Sequence, residues 1–141
     1  MPKTLILFQR PTGTAATIAD AVAEGARSVR FSEVEMYTPG DRGADDLSSY
    51  DAIIVGLSSS AELASVMGGV GSLPNRVGAA FAADGADGEL PWSIMRALAG
   101  LDMILVPPAR DGSVAAAREL GKRVAEVTSW ITHARSHHHS H

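Results

Sequence analysis

The sequence predicts an α/β fold, a three-layer sandwich built on an open, doubly wound parallel sheet of five strands. Short apolar runs alternate with stretches of helical periodicity along the 141 residues, and no repeat or low-complexity segment interrupts them. Several runs are apolar at consecutive positions, as strands covered by helices on both faces must be. Strands and helices alternating on this scale imply right-handed βαβ crossovers.

The strands are expected at residues 4–8, 34–37, 51–56, 77–81 and 103–106, with the first, third and fifth apolar on both faces. After the first, Ala15, Ile18, Ala19, Val22 and Ala26 recur at helical spacing, and either Gly25 or the region of Ser28 closes that helix. A short helix is expected over 61–67, and the glycine-rich stretch 68–74 reads as a mobile connection. A further helix spans 90–101, with Pro91 in its first turn and Gly100 near its end. In the last helix Val114, Ala117, Gly121, Val124, Thr128 and Ile131 share one face. Arg118, Glu119, Lys122, Arg123 and Glu126 occupy the other, with Asp111 or Ser113 as N-cap and Glu119 with Arg123 as an i, i+4 pair. Trp92 and Trp130 have apolar neighbours, so core or interface packing is expected for both.

With 45% apolar and 20% charged residues, the chain suits one compact domain, expected over 1–134. A His-rich tail at 135–141 reads as an artificial appendage, with a native metal-binding tract as the alternative; clustered histidines bind nickel or zinc in either case. Twelve Lys and Arg stand against 16 Asp and Glu, a net charge of −4, and no basic run provides the counterion release that nucleic-acid binding needs. Nucleic acid is therefore not an expected partner. The absence of cysteine excludes disulfides, thiolate nucleophiles and Cys-ligated metal sites. No apolar run approaches a membrane span, and the apolar stretch before Gln9 is too short for a signal peptide, so the expected setting is the cytoplasm with no membrane partner.

In open sheets of this kind, ligands sit at the carboxyl ends of the strands, beside the point where strand order reverses. Three loops should converge there: 9–15, 57–63 and 82–89. The first carries Arg10, Pro11, Thr12, Gly13, Thr14 and Ala15 straight into a helix N-terminus, where free amides and the helix dipole favour an anion. Thr12 and Thr14 offer hydroxyls, Gly13 admits close backbone approach, and Arg10 supplies a cation; capping of an ordinary βα turn is the alternative role. No Gly-Lys-Ser/Thr follows, so this is not a nucleoside-triphosphatase loop.

"KTLILFQRPTGTAATIADAVAEGAR", residues 3–27, resembles the first strand, phosphate loop and first helix of the flavodoxin-like superfamily. There a Ser/Thr-x-Thr-Gly-x-Thr loop wraps the phosphate of FMN. Arg10 takes the first hydroxyl position, Thr12 and Gly13 match, Thr14 fills the variable place, and Ala15 replaces the last Thr. "DAIIVGLSSS", residues 51–60, resembles the third strand and the Gly-x-Pro-Thr loop of flavodoxins and WrbA-type quinone reductases, with Ser58 and Ser59 where Pro and Thr would stand. "RVGAAFAADGADG", residues 76–88, resembles the fourth strand and the Gly-rich loop on the far side of the flavin ring.

The resemblance implies strand order 2-1-3-4-5 and FMN as cofactor. Arg10 to Ala15 would then serve the phosphate, and Ser58, Ser59, Ser60, Ala61, Asp84, Gly85 and Ala86 the ring. Two lost phosphate hydroxyls cost roughly tenfold to a hundredfold in affinity, and Arg10 returns a similar amount where it reaches the phosphate. The expected function is an FMN-binding redox protein, an electron carrier or an NAD(P)H:quinone reductase, with a redox protein or NAD(P)H as partner. The alternative is a domain that has lost FMN and acts as a binding or assembly module, holding another phosphate-bearing small molecule. Ala15, Ser58 and Ser59, and the lack of an aromatic in either ring-facing loop favour that alternative. Small residues on the helices suit a symmetric homodimer.

Other chemistries lack their residues. A receiver domain needs acids after the first strand, an Asp ending the third and a Lys ending the fifth; Gln9 and Arg10, Gly56 and Leu57, and Pro107 and Pro108 stand there. Ser58 to Ser60 have no base for nucleophilic catalysis, because His133 in the last helix is the sole histidine outside the tail. Asp84, Asp87 and Glu89, separated by glycines, read as a polar turn more than as a hard-metal site.

Overall fold

The computed structural model describes residues 2–8, 14–30, 32–37, 47, 49–56, 71–81, 89–108 and 113–139. In chain order its elements are β1 (Lys3–Phe8), α1 (Thr14–Arg27), β2 (Glu33–Tyr37), β3 (Ala52–Gly56), β4 (Val77–Ala80), α2 (Leu90–Ala99), β5 (Ile104–Leu105) and α3 (Val114–His139). The five strands form one parallel sheet in the order β2-β1-β3-β4-β5, as the resemblance implied.

Alternation along the strands divides the core into two layers. Leu5, Leu7, Ile53 and Val55 lie in one layer, in a cluster that includes Leu90, Ile94 and Leu98 of α2. Ile6, Ile54 and Ala79 face the other way, against Ile18 and Val22 of α1 and Ala117, Leu120 and Val124 of α3. The registers Thr4 to Ala52, Ala52 to Val77 and Val77 to Ile104 align the amino ends of the strands, so their carboxyl ends also share one edge. The amino edge is stitched by polar contacts. The Lys3 amide donates to the Asp51 carboxylate at 2.9 Å, the Asp51 amide to the Lys3 carbonyl at 2.8 Å, and Arg76 Nε to the Tyr50 carbonyl at 3.1 Å. The Tyr50 hydroxyl donates to the Glu35 carboxylate of β2, and the Lys3 ammonium lies 5.7 Å from the Tyr50 ring centroid.

The structure corrects some expectations and chooses between the alternatives of others. The fifth strand, apolar on both faces as expected, is not covered on both: β5 has two residues at the sheet edge, and Ile104 and Leu105 are 40% and 36% exposed. β4, like β1 and β3, is covered on both faces, and its small Gly78, Ala79 and Ala80 let helices approach on each side. Gly25 does not close α1; it is buried inside the helix, and Ser28 caps the end by donating from its hydroxyl to the Gly25 carbonyl at 2.6 Å. Trp92 and Trp130 are outside the core, 54% and 66% exposed. The buried side of α2 is set by Leu90, Ile94, Met95 and Leu98, which turns Trp92 outward. Val114 is likewise exposed at the start of α3, where Ser113 is the N-cap: its hydroxyl accepts from the Ala116 amide at 3.1 Å. Asp111, the other candidate cap, and the segments 61–67 and 82–88 lie outside the described residues.

Helix α3 continues through residues 135–139 of the His-rich segment. Among the described residues, no helix is long and apolar enough to cross a membrane.

Candidate functional site

Strand order places β2 and β3 on opposite sides of β1, so the carboxyl end of β1 is the switch point of the sheet. β1 ends at Phe8, directly opposite Gly56 at the end of β3. Only residues 9–13 separate Phe8 from the first residue of α1, Thr14. The N-terminus of α1 therefore lies at this edge, with its orphan amides and positive dipole end. Its first turn contains no acidic residue to repel an anion.

The other two loops leave from the same edge. Residue 57 follows Gly56, and residue 82 follows Phe81, whose amide extends the β4 ladder by donating to the Val55 carbonyl at 3.0 Å. The ring of Phe81 lies where a side chain on Gly56 would be: a Cβ there would sit 2.2 Å from Cζ and 2.3 Å from Cε2. Gly56 thus has a reason internal to the protein, since only a residue without Cβ lets the ring cross the end of β3. Phe81 is 2% exposed and belongs to the apolar cluster that includes Ile18 of α1 and Val106 beyond β5. The sequence marked Gly56 through its family resemblance and counted Phe81 as strand, but held no signal that the two meet.

Of the expected site residues, Thr14 and Ala15 are the first two of α1. Arg10, Pro11, Thr12, Gly13, Ser58, Ser59, Ser60, Ala61, Asp84, Gly85 and Ala86 lie outside the described residues. The structure brings together the anchors of all three loops: Phe8 and Thr14, Gly56, and Phe81. Among the described residues, no cluster of three acidic or histidine side chains is placed to hold a metal ion. Glu89 is exposed immediately before α2, and its companions in the acidic turn, Asp84 and Asp87, lie outside the described residues.

The donor set at this edge fits a phosphate, through the amides at the start of α1. The described aromatics contribute less to a flavin ring. Phe81 is committed to the core, Phe8 and Tyr37 are half-buried at the ends of β1 and β2, and Trp92 lies on the outward side of α2.

No family model and no curated protein matches the sequence. Solved structures do match the fold along nearly its whole length. A flavodoxin from the domain Archaea superposes with a TM-score of 0.73 at 21% identity, covering 90% of this chain and 99% of that one. A flavodoxin of Streptococcus pneumonia TIGR4 gives 0.69 at 17% identity, over 89% and 99% of the two chains. The two-electron reduced flavodoxin of Megasphaera elsdenii gives 0.67 at 16%, over 87% and 98%. Strand order, the two covering layers and these superpositions agree that the chain has the flavodoxin-like fold.

Proposed function

We propose that the protein binds FMN at the carboxyl edge of the sheet and carries electrons. The observation that supports this most is the N-terminus of α1 at the switch point, joined to β1 by a short segment containing Thr12 and Gly13. Amides at Thr14 and Ala15, the hydroxyls of Thr12 and Thr14, and the Arg10 guanidinium would take the phosphate. Ser58 to Ala61 and Asp84 to Ala86 would border the ring and hydrogen-bond its edges, setting its potential. FMN itself supplies the electron-transfer chemistry, so no side chain is assigned as acid or base.

An electron carrier is favoured over an NAD(P)H:quinone reductase because the chain spans 98–99% of the compared flavodoxins, which in turn cover 87–90% of it. The redox partner would then be another protein, in the cytoplasm. Residues 1–134 are proposed as the functional domain, with 135–141 dispensable for binding. Absorbance near 450 nm in the purified protein, roughly that of any oxidised flavin, or quenching of added FMN fluorescence, tests the reading. A colourless protein that leaves FMN unquenched at about 100 μM binds it by less than about 5.5 kcal/mol, which would overturn this reading and leave the flavin-free binding module as the alternative.

A further inference from the structure

Helix α3 runs without a break from the packed domain into the histidine-rich segment, from Val114 to His139. Histidines that would act independently in an irregular tail are thereby set in helical register with one another and with His133, which is exposed on the helix and precedes that segment. At about 100° and 1.5 Å per residue, His137 falls about 40° round and 6 Å along the helix from His133, on the same face. His138 and His139 fall about 140° and 240° round from His133, and Arg135 about 200°, on the far side. Of the three histidines at 137–139, the helix therefore pairs only His137 with His133.

The residue types fit the spacing. Two histidines at i and i+4 on one helix face are the pair that ligates zinc in helical metal sites. Residues 127–139 include no Asp or Glu, so the side-chain donors are imidazole nitrogens, which suit zinc, copper and nickel where calcium and magnesium demand oxygen. His137 is in the last turn of α3, where the helix dipole favours a cation.

We infer that His133 and His137 form a two-imidazole site for a divalent transition-metal ion, with water completing the coordination. Only the helical register puts both residues on one face, so the ion and the end of α3 stabilise each other. The site is independent of the FMN reading. Trp130, 66% exposed and one turn before His133, lies on the same stripe and serves as its reporter.

The test uses the full chain, with Trp92→Phe to leave Trp130 as the single tryptophan. Copper is titrated by quenching of Trp130 fluorescence and zinc by calorimetry, in this protein and with His133→Ala, His137→Ala, His138→Ala or His139→Ala added. His133→Ala and His137→Ala should each weaken both ions by about tenfold or more, because the second ligation is no longer intramolecular. His138→Ala and His139→Ala should change affinity by less than about threefold. Zinc should also raise the helical far-UV signal and slow amide exchange over 133–139, and do neither in His133→Ala. Equal losses from all four variants, or a His133→Ala protein that binds like its parent, would show an irregular tail acting without α3 and overturn the inference. Failure of the parent protein to bind either ion at about 100 μM would overturn it as well.

Discussion

Gly25 of α1 and Gly121 of α3 meet reciprocally, each with its Cα against the carbonyl one turn before the other. A Cβ on Gly25 would lie 1.9 Å from the Arg118 carbonyl oxygen, and a Cβ on Gly121 would lie 1.9 Å from that of Val22. Small residues on both sides let the backbones approach closely enough for Cα–H to carbonyl contacts. The obstruction is main chain, so an added methyl must part the helices. Gly25→Ala or Gly121→Ala should each cost about 2–3 kcal/mol in urea unfolding. The pair together should cost less than the sum, because one separation relieves both clashes. Arg118→Ala provides a contrast. Its ion pair with Glu24, at 3.1 Å, is about half exposed, and its loss should change stability by less than about 1 kcal/mol. Equal losses from Gly121→Ala and Arg118→Ala would contradict this ranking.

The Tyr50 hydroxyl is buried and donates to Glu35 of the edge strand β2. Tyr50→Phe removes the donor and should destabilise by about 1–2 kcal/mol. In a Glu35→Gln background the same change should cost visibly less, which a double-mutant cycle would read as coupling. Additive effects would mean that Tyr50 acts by packing alone.

Thr4 presents the opposite case. Its side chain is fully buried and its hydroxyl has no hydrogen-bond partner among the described residues. Thr4→Val keeps the shape and removes the unsatisfied group, so stability should rise by about 1 kcal/mol. The site is at the amino end of β1, and FMN binding should not change. A destabilised variant would reveal a partner for that hydroxyl.

Ala15 is the second residue of α1, where the resembling loops place a threonine. Ala15→Thr would return one hydroxyl to the phosphate and should tighten FMN about three- to tenfold, measured by fluorescence titration. Unchanged affinity would place the phosphate elsewhere or show that Arg10 already replaces the hydroxyl.

The central strands were legible because burial on both faces forces consecutive apolar residues: Leu5 to Leu7 and Ile53 to Val55 show it directly. The same signal misled at Ile104 and Leu105, since an apolar pair does not report whether a further strand lies beyond it. Gly25 stood beside Ser28 as a candidate terminator because glycine commonly ends helices, and its crossing partner is almost a hundred residues away in sequence. For the candidate site, the edge and the three loop anchors followed from chain order alone. The contact between Gly56 and Phe81 did not, because it joins two strands through a side-chain shape that no local pattern encodes.

The short fifth strand has a further consequence. The amides of Ile104 and Val106 both turn inward, to the carbonyls of Arg76 at 2.8 Å and Gly78 at 3.0 Å. Alternation therefore leaves Leu105 and then position 107 with main-chain groups directed away from the sheet. Position 107 is proline, which has no N–H to give. A sixth strand arriving from another molecule would find a greasy margin in Ile104 and Leu105 but a ladder missing its next rung. The protein can thus leave two large aliphatic side chains in water at its border without offering itself as a template for growth.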